Sequence, residues 1–333
     1  MQITPIFFSF DNNYVPQAAV TFESLLANAK SDIFYKLYVV HSSIDTLNRN
    51  ALLAQVSKHQ NATLDFIDVS GKFNIEFSDS KFSKGHAGST FTIETIYRCL
   101  AISLAEFNQY SKIIYSDVDI VVVDDISELY QTDLSNHYLA GHHIPAFLKD
   151  QVTHLPPHVQ ETYIGAGLWV INLDKMRQDN VIKKIQSIIA SPPCFLLWPD
   201  QDVMNLACSP HIQYISYRYC SIPSWRELLK EMQYEDERYP NKAFYDATYR
   251  PKIIHYAAQK PWANTDRPPL SDIWYYWLSK TSFAHLFNEN IAIKKPTVYF
   301  LNFIKLPLSW VKIKGNQIKI KFLGVIPLFK VKN

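Results

Sequence analysis

Glycine and cysteine are scarce in this sequence. Its 333 residues contain 8 glycines against 18 prolines, a balance that argues against flexible linkers between domains. Neither G-x-G-x-x-G nor G-x-x-x-x-G-K-[ST] occurs, which excludes a dinucleotide-binding fingerprint and a P-loop. The cysteines form no C-x-x-C pair, so we expect free thiols in a reducing compartment. They are Cys99, Cys194, Cys208 and Cys220.

Long apolar runs are missing as well. The best candidate for a transmembrane helix, residues 298–311, is interrupted by Asn302, Lys305 and Pro307. The first residues lack the basic region and the long apolar segment of a signal peptide. With 47% hydrophobic and 19% charged residues, the composition is typical of a globular protein, which we expect in the cytoplasm.

Acidic residues are absent from residues 291–333, which carry nine lysines. Because the whole chain has a net charge of +2, about seven net negative charges remain on residues 1–290. Apolar residues and lysines alternate on both sides of Gly315-Asn316, a pattern that predicts a β-hairpin with a two-residue turn. The predicted apolar face is Val311, Ile313, Ile318 and Ile320, and the predicted lysine face is Lys312, Lys314, Lys319 and Lys321.

This basic tail has two interpretations. A half-buried edge hairpin with solvated lysines would be purely structural. Attachment to an anionic membrane would gain about 1 kcal/mol per lysine near the surface. The lack of balancing acids favours the second, so we expect a protein peripheral to the inner face of the cell membrane.

Strand and helix patterns alternate along the chain, as in a doubly wound α/β sheet. We expect a domain over residues 1–265 and an extension over residues 266–333. Residues 145–162 are expected to form a lid or acceptor loop. The predicted strands are 6–10, 34–41, 64–69, 113–115, 120–123, 138–142, 168–173 and 252–256. The predicted helices are 15–27, 44–59, 92–107, 174–190 with Asp174 as its cap, one beginning at Pro199, and a short one around Trp274.

An acidic pair lies between two of the apolar strands. In extended backbone Asp117 and Asp119 point the same way and Val118 points the other way. A divalent cation such as Mn²⁺ or Mg²⁺ would relieve the repulsion between the carboxylates and prefers oxygen ligands. The pattern alone is weak, because Asp-x-Asp recurs at Asp200 and acids are also common turn residues.

Other polar residues follow predicted strands or begin helices. Asp11 and Asn13 could bind a base or ribose, with Tyr14 stacking on the base, or the first two could simply cap a helix. Arg98 is either a surface charge or a diphosphate ligand. At the last predicted strand, His255 could bind the metal and the nearby Lys260 a phosphate.

Three further groups have alternative roles. Asp200 and Asp202 could bind sugar hydroxyls or act as helix N-terminal acids. The glycines in Gly165-Ala166-Gly167 could let backbone approach a ligand or make a tight turn. His142 and His143 are weaker ligand candidates.

Six motifs in this order together resemble glycosyltransferase family 8, over about residues 6–262. They are Phe-Asp11-Asn-Asn13-Tyr14; Tyr97-Arg98; Ile-Tyr-Ser-Asp117-Val-Asp119; Gly165-Ala166-Gly167 with Ile171-Asn172-Leu173; Pro199-Asp200-Gln201-Asp202; and His255-Tyr256 with Lys260-Pro261-Trp262.

The resemblance implies a GT-A fold, with a mixed central sheet and flanking helices, extended by basic helical and hairpin segments. It implies a retaining, Mn²⁺-dependent transfer of a hexose, galactose or glucose, from a UDP-sugar to a glycan or glycolipid acceptor in lipopolysaccharide or capsule synthesis. No nucleic-acid partner is expected.

The same resemblance implies roles for individual residues. The metal ligands would be Asp117, Asp119 and His255, with Val118 beside the donor. Asp11, Asn13 and Tyr14 would contact uridine; Arg98 and Asp200 the donor sugar; Gln201 the anomeric carbon; and Lys260 the diphosphate.

Two positions depart from the family pattern. Gly165 stands where many members have Asn beside the donor sugar. The segment from His255 to Lys260 is one residue shorter than usual and has Ala258 where Gly is common. Two alternatives remain, a non-catalytic carbohydrate- or nucleotide-sugar-binding protein and a sugar nucleotidyltransferase. The second normally has a glycine-rich N-terminal loop, and residues 1–30 contain no glycine.

Overall fold

The computed structural model describes most of the chain up to residue 286 and the backbone of four short strands beyond it. The described residues are 1–73, 92–194, 196–224, 246–257, 259–263, 267–286, 298–300, 304–306, 311–314 and 317–320. The polar sequence of residues 70–91 predicts a loop over the site, and most of that loop lies outside the described residues.

Up to residue 286 the described residues include the following strands and α-helices, besides short 3-10 turns. The strands are β1 (Gln2–Ser9), β2 (Ile33–His41), β3 (Ala62–Asp68), β4 (Lys112–Ser116), β5 (Ile120–Val122), β6 (Leu139–Gly141), β7 (Leu168–Asn172), β8 (Ile212–Tyr214) and β9 (Ile253–His255). The helices are α1 (Val15–Ala27), α2 (Thr46–Val56), α3 (Glu94–Leu100), α4 (Pro157–Thr162), α5 (Leu173–Gln178), α6 (Val181–Ala190), α7 (Pro199–Cys208) and α8 (Ser271–Leu278).

Seven strands form one mixed sheet in the order β3-β2-β1-β4-β7-β6-β8. β1 pairs in parallel with both β2 and β4, and β7 runs antiparallel to its neighbours β4 and β6. The chain leaves β1 toward β2 and β3 and later returns to the other side of β1 as β4. The order therefore reverses between β1 and β4, where ligands bind in open α/β sheets. This architecture confirms the predicted mixed sheet with flanking helices.

Both faces of the central sheet are buried. Along β1, Ile6 and Phe8 point into one core with α1 and α2, while Phe7 points into the other. This alternation follows from the two-residue period of a strand. On the second face Phe7 packs against Tyr115 and Phe107, with ring centroids 5.1 and 5.4 Å apart. Strands covered on both faces explain the continuous apolar runs in the sequence.

A smaller core joins α8 to the rest of the domain. Trp274 and Tyr275 are buried against Val20 of α1, Val121 of β5 and Ile254 of β9. These two aromatic residues of α8 are thus part of the core, whereas Tyr276 on the same helix is exposed. β5 and β9 pair antiparallel as a separate two-stranded ladder beside the main sheet.

Three predicted elements differ in the structure. The helix expected over 92–107 ends at Leu100 and continues as two 3-10 turns, because Leu104 is extended with ψ 139°. The helix expected over 174–190 is divided into α5 and α6 at Asn180, whose φ is 57°. Asp174 lies in its first turn and does not cap it, since Asn172 accepts the bond from the Lys175 N–H at 3.0 Å.

The segment expected to be a loop, residues 145–162, contains regular structure. A 3-10 helix covers Ala146–Val152 and is followed by α4. The segment is therefore a folded element beside the sheet.

The backbone of the tail forms two hairpins. β10 (Val298–Phe300) pairs with β11 (Ile304–Leu306), and β12 (Val311–Lys314) pairs with β13 (Gln317–Ile320). In the second hairpin Val311 lies opposite Ile320 and Lys312 opposite Lys319, which confirms the predicted register. Among the described residues no helix has the length and apolar character needed to cross a bilayer.

Candidate active site

A cavity of about 640 Å³ opens where the strand order reverses, at the carboxyl ends of β1 and β4. Its volume lies within the range of small-molecule sites. Ten of the eleven residues to which the family resemblance assigns a role line it. Those that do are Asp11, Tyr14, Arg98, Asp117, Val118, Asp119, Asp200, Gln201, His255 and Lys260.

The exception is Asn13, which does not line the cavity. Its N–H donates to Asp11 Oδ1 at 2.9 Å and its side-chain amide to Asp11 Oδ2 at 3.1 Å. Asp11 therefore caps a 3-10 turn, as the structural alternative predicts, while it also faces the cavity. Beside it the Tyr14 ring stands edge-on to Trp262, 6.3 Å between centroids, and burial raises the pKa of Tyr14.

Asp117, Asp119 and His255 converge at the bottom of the cavity. Their candidate ligand atoms all lie within 4.8 Å of one another. His255 Nε2 is 3.1 Å from Asp119 Oδ1 and 3.7 Å from Asp117 Oδ2. Apart from each other, Asp119 Oδ1 and His255 Nε2 have no partner in the described part of the chain, and both are buried. Two carboxylates and an imidazole with such unpartnered atoms fit a divalent cation.

Backbone pairing holds these ligands in place. The Asp117 N–H donates to the Gly167 carbonyl at 2.8 Å, and the Tyr256 N–H donates to the Asp119 carbonyl at 2.9 Å. In the β5–β9 ladder Ile120 lies opposite His255, so the histidine meets the acidic pair from the partner strand. Val118 lines the cavity and is also buried in the core that contains α1.

Gly167 makes room for the His255 ring. A Cβ at this position would lie 2.3 Å from His255 Cε1 and 2.9 Å from its Nδ1. Its φ of 91° is also a conformation that other residues rarely adopt. At this glycine the backbone therefore approaches the His255 ring, a contact that neither of the two roles considered for the Gly-Ala-Gly motif includes.

Opposite charges surround Asp119. Burial raises its pKa, but the charges of Lys260 and His255 outweigh burial and hold the pKa well below its usual range. Burial lowers the pKa of His255, yet Asp119 and Cys220 raise it overall. Lys260 donates to Asp119 Oδ2 and to the Tyr256 carbonyl at 2.8 Å. The Asp119 carboxylate is therefore held between the Lys260 ammonium and the His255 imidazole.

Arg98 links the acidic pair to the start of α7. Its Nη1 donates to Asp117 Oδ1 at 2.8 Å and to Asp200 Oδ2 at 2.9 Å, and its guanidinium lies 5.1 Å from the centre of the Tyr115 ring. Burial lowers the pKa of Arg98, but Asp117, Tyr115 and Asp200 raise it overall. This is a nearly buried charge that pairs with two carboxylates, and not a surface arginine.

Gln201 is fixed by two hydrogen bonds. Its Oε1 accepts from the Ala166 N–H at 2.6 Å and its Nε2 donates to the Tyr163 hydroxyl at 3.0 Å. The Tyr163 hydroxyl in turn donates to Asp202. This orientation depends on residues that the sequence motifs did not identify.

Asp202 is a structural anchor and does not line the cavity. Its carboxylate accepts from the N–H groups of Leu197 and Trp198 at 2.8 and 3.1 Å. The same carboxylate pairs with His154 Nε2 at 3.0 Å, which ties the segment before α4 to α7. The helix-terminal alternative is thus the correct one for this acid.

Cys220 lies behind the candidate metal ligands. Its Sγ is 3.4 Å from His255 Nδ1. Burial raises the pKa of the Cys220 thiol, but the nearby imidazoles of His142 and His255 lower it to about 6. The β-bridge between Ser221 and Ile254 brings this cysteine to the site from a distant segment of the chain. No local sequence pattern therefore identifies Cys220 as a site residue.

Solved structures share this architecture. The chain superposes on the bifunctional glycosyltransferase WbbM with a TM-score of 0.69 at 22% identity, over 86% of this chain and 51% of that one. It superposes on the galactosyltransferase LgtC, solved with donor and acceptor sugar analogues, with a TM-score of 0.64 at 20% identity, over 84% and 96% of the two chains. The fold is that of a GT-A glycosyltransferase.

Sequence comparison then gives the family. A profile of Glycosyl transferase family 8 matches residues 5–266. A lipopolysaccharide 1,2-glucosyltransferase of Escherichia coli is 23% identical over 301 residues, covering 86% of this chain and 80% of that protein. The chain belongs to glycosyltransferase family 8, which confirms the resemblance found in the sequence, and it is a glycosyltransferase.

Proposed function

We propose that this chain is a retaining, Mn²⁺-dependent hexosyltransferase that moves galactose or glucose from a UDP-sugar to a glycan acceptor in lipopolysaccharide or capsule synthesis. The convergence of Asp117, Asp119 and His255 on unpartnered atoms, beside Lys260 and Arg98, carries this proposal. The lipopolysaccharide glucosyltransferase among its relatives supports the substrate class.

The three candidate metal ligands, Asp117, Asp119 and His255, suit Mn²⁺ or Mg²⁺. A bound cation would supply charge stabilisation at the diphosphate of the donor. The oxygen-rich set with one imidazole and no thiolate ligand favours such a cation over a soft metal.

Two positively charged side chains, Lys260 and Arg98, line the cavity beside the proposed metal site. Lys260 is largely buried against Asp119, and its ammonium is held at the cavity where a diphosphate would leave. Arg98 faces the cavity from the other side of Asp117. Fixed cations in a partly water-excluded site stabilise the negative charge that grows on the leaving UDP.

The remaining cavity residues divide between the two ends of a UDP-hexose. We assign Tyr14 and Asp11, which line the cavity at the end of β1, to the uracil and ribose. Asp200, held by Arg98, and Gln201, held by Ala166 and Tyr163, are placed for the hexose. Asn13 would act by orienting Asp11.

We expect transfer with retention through attack of the acceptor on the same face that UDP leaves. Gln201 is a neutral amide whose polar atoms are both hydrogen-bonded, so it is a poor nucleophile. Proton NMR of the first product formed should show the α-linkage of the donor. Mass spectrometry should detect no covalent glycosyl adduct, and an adduct at Gln201 or Asp200 would replace this mechanism with a double displacement.

A panel of nucleotide sugars tests the function directly. We expect a UDP-hexose with Mn²⁺ to raise the melting temperature more than GDP- or CMP-sugars do, and UDP to be released from that donor. Stabilisation without UDP release, even when glycan acceptors are added, would support a non-catalytic binding protein. No response to any UDP-sugar would contradict the proposed donor class.

We also propose that residues 1–265 form the catalytic domain and that residues 266–333 form an extension that rests on an anionic membrane. The packing of α8 on α1 and β5 would join the extension to the domain. The paired lysines of the second hairpin concentrate positive charge without any acid to balance it.

Removal of residues 291–333 should release the protein from vesicles that contain anionic lipid. Nine lysines at about 1 kcal/mol each provide a binding energy that salt should weaken. Sedimentation with anionic and neutral vesicles would measure it, with Lys312, Lys314, Lys319 and Lys321 changed to Gln as the charge control. Unchanged sedimentation of the truncated chain would contradict the membrane proposal.

A further inference from the structure

Gly165 and the His142 imidazole share one part of the cavity wall. A Cβ built at Gly165 would lie 2.3 Å from His142 Nε2 and 2.4 Å from its Cε1. Backbone pairing fixes the two residues against each other, because the Gly165 N–H donates to the His142 carbonyl at 3.0 Å. Both residues line the cavity.

Only one side chain fits at this place. The distances from a Cβ at position 165 to the imidazole are shorter than those that real Cβ atoms show. Any residue other than glycine would therefore have to displace the imidazole. The histidine on the neighbouring segment thus fills the volume that a side chain at position 165 would otherwise use.

The imidazole also carries an unpartnered nitrogen, while the Cys220 thiol lies near the same ring. His142 is 4% exposed, and its Nδ1 has no hydrogen-bond partner within the described ranges. Buried polar groups without partners are uncommon unless a ligand or water completes them. The next residue along from Gly165 is Ala166, whose N–H holds Gln201, so this wall adjoins the proposed hexose site.

We infer that His142 determines the specificity for the sugar donor. Its imidazole binds a hydroxyl of the hexose from the position that a side chain at residue 165 would occupy. An imidazole can donate or accept one hydrogen bond, and a site that binds a particular hydroxyl discriminates against the epimer that misplaces it. This inference rests on the proposed function, since it assigns a role within the same donor site.

The shared volume predicts a non-additive pair of substitutions. Gly165→Asn alone should be strongly impaired, because the amide and the imidazole compete for one space. In the His142→Ala background that space is free, and the amide introduced by Gly165→Asn can restore a hydrogen-bonding group. Two changes that are each harmful should therefore partly compensate each other, as coupled neighbours do.

The experiment compares kcat/KM for UDP-glucose and UDP-galactose in five proteins. They are the unaltered chain, His142→Ala, His142→Phe, Gly165→Asn and the His142→Ala/Gly165→Asn double variant. Loss of one discriminating hydrogen bond should reduce the preference between the two sugars by about tenfold or more in His142→Ala. His142→Phe keeps the ring volume but not the polar atoms, so it should lose the preference too.

Affinity for UDP alone and the melting temperature serve as controls. Both should stay near those of the unaltered chain in His142→Phe, while the sugar preference falls. An unaltered preference in both His142 variants would overturn the inference and leave His142 as a packing neighbour of Gly165 and Cys220. A failure of the proposed function is distinguishable, because then the unaltered chain itself would release UDP from neither sugar.

Discussion

Replacing Asp119 with alanine should lower the rate of UDP release from a UDP-hexose by about 10³-fold or more. A metal ion at a developing charge contributes several kcal/mol, and each 1.36 kcal/mol changes a rate about tenfold. Asp119 also balances two cations, since Lys260 and His255 both contact it. Its removal would leave these charges together in a buried site and weaken Mn²⁺ binding.

A matched control for this variant lies five residues further along. Asp124 is about half exposed, with side-chain accessibility of 53%, and its ion pairs with Lys252 and Arg218 are long, at 3.7 and 3.8 Å. Asp124→Ala should therefore change stability by about 1 kcal/mol at most and leave UDP release nearly unaltered. Initial rates with and without Mn²⁺ would measure both. Activity of Asp119→Ala within tenfold of the unaltered chain would contradict a catalytic role for this carboxylate.

Replacing Gly167 with alanine should damage both the fold and the metal ligands. Its φ of 91° would strain any other residue, and its Cβ would overlap the His255 ring at 2.3 Å. Together, backbone strain and overpacking should cost about 2–5 kcal/mol of unfolding free energy. Because the ring must shift, Mn²⁺ affinity should fall as well, which isothermal titration calorimetry would measure.

Gly71 provides a control that separates the cost of backbone strain from the cost of overlap with the His255 ring. It also has a positive φ, 70°, but a Cβ there meets nothing within 4 Å. Gly71→Ala should therefore show only the backbone cost of about 1–2 kcal/mol and bind Mn²⁺ normally. Chemical denaturation of both variants would provide the comparison. Equal losses of stability with unaltered Mn²⁺ affinity in Gly167→Ala would show that contact with His255 is unimportant.

Elements with strong local patterns were predictable from the sequence. The bounds predicted for α1, residues 15–27, match the structure, because apolar residues recur at helical spacing and Pro16 suits the first turn. β4 and the acidic pair were recognisable since a buried strand runs directly into two acids. The family motifs then identified most of the charged residues that line the cavity.

Features that depend on single backbone angles were not predictable. The predicted helix over 92–107 breaks because Leu104 turns extended, although leucine favours helices. Asn180 adopts a left-handed conformation, which asparagine tolerates but does not require. In both cases the surrounding core decides the conformation, and no local pattern reveals it.

Contacts between segments that are distant in the chain were also not predictable from the sequence. Cys220 reaches His255 through a bridge between residues far apart in sequence, and His142 fills the space beside Gly165 only because β6 and β7 are neighbours. Histidine and cysteine at such positions carry no distinctive spacing. Their roles follow from the sheet order, which the sequence predicts only in outline.

The most direct test is a crystal of the full chain soaked with MnCl₂ and UDP, with anomalous data collected near the manganese edge. A single strong anomalous peak bonded to Asp117, Asp119 and His255, with the diphosphate beside Lys260, is the predicted result. UDP bound with no anomalous peak among these three side chains, or a cavity empty of both, would contradict the account.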